Sequence, residues 1–180
     1  MDQSLFTYDI IAEDPKTHAR AGVLHTPHGD IETPIFMPVG TRATVKGVPW
    51  ETVKDLGAQI VLSNTYHLAM RPGADLIDEM GGLHSFMNWH GPILTDSGGF
   101  QIFSHSDAVK LSDKGVRFIA TDYDGSHVFW SPEDNMAIAQ KLGSDICMQL
   151  DQCIGYPAER RDVQRAMDLS SRWAERCYKA

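Results

Sequence analysis

Short apolar runs punctuated by turn residues dominate this chain, and their rhythm changes once. Near the N-terminus, residues 5–11, 21–25 and 31–36 are β-compatible runs. Glu13-Asp14-Pro15-Lys16 and His28-Gly29-Asp30 separate them, so the spacing predicts an antiparallel sheet. From residue 35 onward, buried-type runs alternate with helical signals. The runs at 35–39, 59–62, 92–95 and 145–150 end at Gly40-Thr41, Ser63-Asn64, Asp96 and Asp151. Helices are predicted over 49–56, with Pro49 in the first turn and Gly57 as the stop, and over 74–80, closed by Gly81-Gly82. Runs at 116–120 and 127–130 flank Asp124-Gly125, the signature of an inserted hairpin. Ser131-Pro132-Glu133-Asp134 then opens a helix, with Ser131 at the N-cap, Pro132 at the first helical position and Asp134 at the acidic box position, and Gly143 stops it. A last helix begins near residue 159. Val163, Ala166, Met167, Ser170, Trp173, Ala174 and Cys177 form one face of it, and no stop signal precedes Ala180, so the chain reads as cut short there.

Four strand–helix units in succession imply parallel strands covered by helices. The predicted class is α/β: the first four βα units of a (β/α)8 TIM barrel, plus an N-terminal antiparallel sheet and an inserted hairpin. A small open α/β sheet shares the same pattern. No repeat or low-complexity linker interrupts the chain, so residues 1–180 read as part of one domain.

Composition narrows this further. With 180 residues, 42% hydrophobic and 22% charged, the chain can bury a sizeable core and is no disordered tail. No apolar run approaches the roughly 18–20 residues of a membrane helix. Met1-Asp2-Gln3-Ser4 lacks the basic-then-apolar start of a signal peptide. A cytoplasmic protein without membrane contact is expected. Three cysteines at irregular spacing argue against a disulfide framework and lack zinc-knuckle spacing, and the eight histidines make no metal pattern. No metal ligand is therefore expected within this segment. His25 and His28, around a turn, are expected to be solvated, and His67 to pack or to orient a loop. Phe86, Met87 and Trp89 read as core. There is no Walker loop and no dinucleotide fingerprint. The net charge of −8 opposes a general nucleic-acid-coating surface but leaves room for a local basic patch, with Arg42, Lys46 and Arg71 as isolated candidates for phosphate contact.

In barrels of this class the working residues lie at the carboxyl ends of the strands. Asp96-Ser97-Gly98-Gly99-Phe100-Gln101 is the sharpest such segment. Its glycines let a ligand approach the backbone, its N–H groups suit an anion or carbonyl oxygen, Asp96 suits proton transfer and Phe100 suits stacking on a flat ring. A tight turn capped by Asp96 reads equally well. Asp151 suits two parallel N–H donors such as the Watson–Crick edge of guanine offers; a helix N-cap or loop turn is the plainer reading. Cys153 beside it is a lining residue, with no nearby His to activate it.

These residues also match a family. Thr33-Pro34 and Phe36-Met37-Pro38-Val39-Gly40-Thr41 with Thr44-Val45-Lys46-Gly47 resemble the first barrel strand of the queuine and archaeosine tRNA-ribosyltransferases. Ser63-Asn64-Thr65-Tyr66-His67-Leu68 with Arg71-Pro72-Gly73 resembles their second. Gly81-Gly82-Leu83-His84-Ser85-Phe86-Met87, Pro92 through Gln101, and Leu142-Gly143-Ser144-Asp145 continue in order. The chain is most similar to the bacterial members, the tRNA-guanine transglycosylases, and covers about their N-terminal half.

The resemblance implies a (β/α)8 barrel and a pentosyltransferase. It would exchange the wobble guanine of tRNA for a 7-deazaguanine base, on the route to queuosine, by double displacement. It implies Asp96 as proton acceptor and base contact, with Ser97, Gly98, Gly99 and Phe100 in the same base-binding turn. Gln101 would contact the heterocycle, Asn64 would support Asp96, Asp151 would grip the guanine-like edge, and Cys153 would lie beside the pocket. The implied partners are tRNA with a wobble guanine, and guanine or 7-aminomethyl-7-deazaguanine; the complete enzyme is expected to be a homodimer. The family's nucleophilic aspartate and its cysteine-rich zinc site lie in a C-terminal half beyond this segment, so zinc is expected there and the isolated chain is expected to be inactive. Two segments depart from the family pattern. Phe100 stands where many bacterial members carry Tyr, and Asp151-Gln152-Cys153-Ile154-Gly155-Tyr156-Pro157 stands where many read Asp-Glu-Cys-Thr-Pro-Tyr-Pro. A non-catalytic base- or tRNA-binding paralogue is the alternative.

Overall fold

The structure, a computed structural model, describes residues 5–105 and 108–180; the Met1–Ser4 stretch read above lies outside the described residues. Strands β1 (Thr7–Glu13), β2 (Arg20–Thr26) and β3 (Gly29–Thr33) pair antiparallel in that order, with a bulge between Ile10 and Ala12. The chain continues through α1 (Trp50–Asp55), β4 (Val61–Ser63), α2 (Thr65–Met70), α3 (Ala74–Glu79), α4 (Gly82–Met87), β5 (Ile93–Thr95) and α5 (Gly99–His105). Next come β6 (Lys110–Ser112), β7 (Gly115–Ile119) and β8 (His127–Trp130), a second antiparallel sheet. Then follow α6 (Pro132–Leu142), β9 (Ile146–Cys147) and α7 (Arg160–Lys179). Strands β4, β5 and β9 form a parallel sheet in that order, the mixed α/β arrangement that the alternation predicts.

The expected 31–36 strand pairs only as far as Thr33, and two later runs pair even less. Residues 35–39 form no named strand: Val39 makes one parallel bridge to Leu62, with Gly40 N–H donating to Leu62 O at 2.7 Å and Leu62 N–H to Pro38 O at 2.9 Å. Pro34 and Pro38 have no N–H to donate, so a full ladder cannot form there. In the 145–150 run only Ile146 and Cys147 pair as a strand, on β5, and the Met148 N–H reaches Thr95 O at 2.9 Å. Helices α2, α4 and α5, of six or seven residues, and strand β6, of three, carry no periodic signal because they are too short to express one.

Helix α6 begins where its cap chemistry places it. Ser131 Oγ accepts from the Asp134 N–H at 3.1 Å, and the Asp134 carboxylate accepts from the Ser131 N–H at 2.8 Å. On α7 the buried stripe is Ala166, Leu169, Trp173 and Cys177. Val163 and Met167, expected on that face, are exposed, and Leu169 takes their place. The contact is a narrow seam, and those two residues lie on its flank.

Two apolar clusters result. One packs α1, α3 and α4 against the parallel sheet through Val53, Ile77, Leu83, Met87, Trp89 and Ile93. The other joins Tyr66, Ile102, Phe118, Trp130, Leu150 and Trp173, and so ties the inserted sheet and α7 to the carboxyl end of the parallel strands.

Candidate active site

The carboxyl ends of β4, β5 and β9 meet in one polar cluster. Asp96, directly after β5, is held from β4's end. Asn64 Nδ2 donates to Asp96 Oδ2, and the Thr65 N–H donates to Oδ1 at 2.8 Å. Thr65 Oγ1 donates to the Asp96 carbonyl at 2.5 Å, and the Gly98 N–H returns to Oδ1 at 3.1 Å. The carboxylate thus accepts from three groups that lock its direction.

The turn that follows is built against its surroundings. Gly98 has φ +74°, and a Cβ there would lie 3.2 Å from Tyr66 and from Trp130. Gly99 has ordinary φ, yet a Cβ on it would lie 2.5 Å from Asp151 Oδ1 and 2.7 Å from Asp151 O. Only a residue without Cβ lets β5's exit and β9's exit touch. Ser97 completes the junction: its Oγ donates to Asp151 Oδ1 at 2.6 Å and accepts from the Gly99 N–H at 3.0 Å. Cys153 Sγ lies 3.5 Å from Asp151 Oδ2. Burial, then the neighbouring Asp151 carboxylate, pushes its thiol up to about 11, so it is protonated near neutrality and is no nucleophile. Tyr66, beneath Gly98, has its phenol pushed up to about 12 by burial and then by Asp122.

Asn64, Asp96, Ser97, Gly98, Gly99, Asp151 and Cys153 therefore form one connected group. Phe100 and Gln101 follow on the first turn of α5. Phe100 is 63% exposed, its ring open to a flat partner. Gln101 Oε1 is buried without a hydrogen-bond partner among the described residues. Sequence reading missed two supports. Thr65 makes two of the bonds to Asp96. Asn135, 1% exposed on α6, donates from Nδ2 to Ser97 O at 2.9 Å. Its signal was available: an amide on the same helical face as Ala139 and Leu142 needs a buried partner.

His28 is exposed and His67 is half-buried against a turn residue, as expected, but the histidines are more engaged than solvation alone requires. His28 is not simply solvated: its ring stacks on His84 at 3.7 Å, and its Nδ1 lies 2.6 Å from Asp145 Oδ1. His25 lies between Asp30 at 2.7 Å and Asp9 at 3.2 Å. His67 Nδ1 meets the Tyr123 hydroxyl at 2.7 Å. Among the described residues, His28, His84 and Asp145 are the one grouping of three potential metal ligands. It contains no cysteine, and both Asp145 oxygens already face imidazole nitrogens, with Oδ2 also accepting the Ile93 N–H at 2.8 Å. This set does not fit a cysteine-rich zinc site.

Fold and site together define an α/β protein whose parallel strands end in a hydrogen-bonded cluster that holds two carboxylates. The family model described as Queuine tRNA-ribosyltransferase matches residues 14–180. Curated proteins named Queuine tRNA-ribosyltransferase are similar to nearly the whole chain. That of Halalkalibacterium halodurans is 58% identical and that of Moorella thermoacetica 55% identical, each over 97% of this chain and 46% of the relative. That of Bacillus licheniformis is 53% identical over 100% of this chain and 47% of the relative. The chain belongs to the queuine tRNA-ribosyltransferase family and corresponds to its N-terminal half. It spans about half the length of the curated relatives it matches. No helix among the described residues is long and apolar enough to cross a membrane.

Proposed function

We propose that residues 1–180 are the N-terminal half of one (β/α)8 catalytic domain, contributing its first four βα units with the inserted antiparallel strands. The complete protein exchanges the wobble guanine of tRNA for a 7-deazaguanine base in queuosine formation. The observation that carries this reading is the Ser97 Oγ–Asp151 Oδ1 bond of 2.6 Å, which joins the Asp96–Gln101 turn and Asp151 into one pocket. In that pocket the Asp151 carboxylate accepts the paired N–H donors of a guanine-like edge. Phe100 covers the ring face and Gln101, with its free buried oxygen, meets a heterocycle donor. The N–H groups and small side chains of Ser97, Gly98 and Gly99 allow close approach. Asp96, aimed by Asn64 and Thr65, contacts the base and handles the proton that exchange moves. Cys153 lines the wall as a neutral thiol.

The two-step displacement needs a second carboxylate that attacks the anomeric carbon, as in retaining glycosidases. The remaining length of the family's chain supplies it, together with the zinc site and most of the tRNA surface. This segment alone is inactive, and the complete protein works in the cytoplasm as a homodimer. The test is base exchange. Radiolabelled guanine is incubated with a tRNA bearing a wobble guanine and either the complete gene product or the 180-residue segment. Label entering tRNA only with the complete product is the expected result. Label with the segment alone would place the nucleophile within these residues. No label with either would overturn the reading in favour of a non-catalytic binding paralogue.

A further inference from the structure

We propose that Arg42, Arg71 and Tyr123 form a platform for the phosphodiester backbone of the RNA strand whose base enters the Asp96–Asp151 pocket. This rests on the base-exchange reading above. Both arginines are tied by the backbone to that pocket. Arg42 follows Thr41, whose carbonyl accepts from the N–H of Asn64, the residue that donates to Asp96. Arg71 caps the C-terminus of α2, whose first residue, Thr65, binds Asp96 from the other end. Six residues of helix span about 9 Å, which places Arg71 within reach of the nucleotides flanking the bound base.

The two guanidiniums converge on one ring. Arg42 Cζ lies 5.5 Å and Arg71 Cζ 5.9 Å from the Tyr123 centroid. The ring is itself fixed: its hydroxyl bonds His67 Nδ1 at 2.7 Å, and its edge meets Tyr66 at 5.9 Å. Arg172 and Arg176, by contrast, are neutralised, the first by Asp113 at 2.6 Å and the second by Glu133 at 2.5 Å, and Arg117, which lies 5.1 Å over the Phe129 ring, has a single guanidinium on its ring where Tyr123 has two. Among the described residues, neither Arg42 nor Arg71 stands in an ion pair, and both are exposed. Asp122 and Asp124 flank the ring. The Asp124 carboxylate accepts from the Ser126 N–H at 3.0 Å, and this bond, more than the charge of Arg71, holds its carboxyl below the ordinary value. Two planar cations pre-oriented on an aromatic face, with open N–H edges, suit phosphate oxygens. In a chain with net charge −8 this is a local cationic feature at the rim of the pocket.

The experiment uses the complete gene product and measures tRNA affinity against salt, and KM for tRNA and for free guanine separately. The R42Q/R71Q variant is expected to reduce the slope of log affinity against log salt by about 1.4, at about 0.7 per lost single-strand phosphate contact. KM for tRNA should rise several-fold while KM for guanine stays within twofold. Tyr123→Ala should follow the double variant, and Arg172→Gln, whose guanidinium is already paired, should match the parent protein. A double variant with the parent's slope and tRNA KM, in a protein that exchanges base, overturns the platform alone. Absence of both exchange and tRNA binding in the parent protein overturns the platform together with the base-exchange reading.

Discussion

Gly99 is the position where a single methyl group should most directly disturb the pocket. In Gly99→Ala the new Cβ would start 2.5 Å from Asp151 Oδ1, and that oxygen must retreat by about 0.9 Å to reach ordinary contact at 3.4 Å. The retreat breaks the Ser97–Asp151 bond and moves the carboxylate away from the edge of the base proposed to bind there. Overpacking costs about 1–3 kcal/mol, and loss of a hydrogen bond to a charged group costs about 1.5–3 kcal/mol, so a stability loss of about 3–5 kcal/mol is expected. A displacement near 1 Å at a binding group costs about 10²-fold in rate. Ser97→Ala separates the two contributions, because it removes the bond without the crowding. The assay is kcat/KM for guanine exchange, with thermal melting, in the complete gene product. Gly99→Ala with an unshifted melting temperature and a kcat/KM within twofold of the parent protein would refute the contact between the two strand exits.

Three further outcomes are expected. Asp96→Asn in the complete protein should lower exchange by about 10²–10⁴-fold, the range for lost general acid–base catalysis; a rate near the parent's would remove Asp96 from proton handling. Burial pushes the Asp145 carboxyl up, but hydrogen bonds from His84, His28 and the Ile93 N–H outweigh it and hold it below its ordinary value. Its stabilisation is therefore complete above the unfolded pKa of about 3.9 and is lost as pH falls through the folded value, so Asp145→Asn should flatten the acid branch of melting temperature below roughly pH 4.5; an unchanged acid branch would contradict the cluster. With its thiol near 11, Cys153 should react with iodoacetamide at pH 8 far more slowly than an ordinary cysteine of pKa about 8.5, and Asp151→Asn should speed the reaction; alkylation at the ordinary rate in the parent protein would refute the assigned burial.

Much of the fold was legible because it rests on local rules. Ser131, Pro132 and Asp134 mark a helix start by side-chain chemistry confined to one turn, and α6 begins there. The apolar runs at 59–62 and 92–95, each ended by turn-type residues, marked the strands Val61–Ser63 and Ile93–Thr95. Helix α7 was legible as a helix but not in its buried stripe, because the choice of Leu169 over Val163 and Met167 depends on where α6 and the inserted sheet stand.

The site divides in the same way. By itself the sequence determined which chemistry is present: the acidic strand ends at Asp96 and Asp151, the glycine pair between Ser97 and Phe100, and the order of motifs that carries the family. Composition and spacing are properties of the chain and survive without a fold. Only the tertiary structure decided that Gly99 must lack a Cβ because Asp151 lies against it, although the two are 52 residues apart. It also decided that Asn135 holds the Ser97 carbonyl, that His28 is drawn from a surface turn onto buried Asp145, and that Arg42 and Arg71 meet over Tyr123. Each of these joins residues distant in sequence. No local propensity specifies such a pair, because its geometry follows from how strands and helices pack rather than from either residue's own preference.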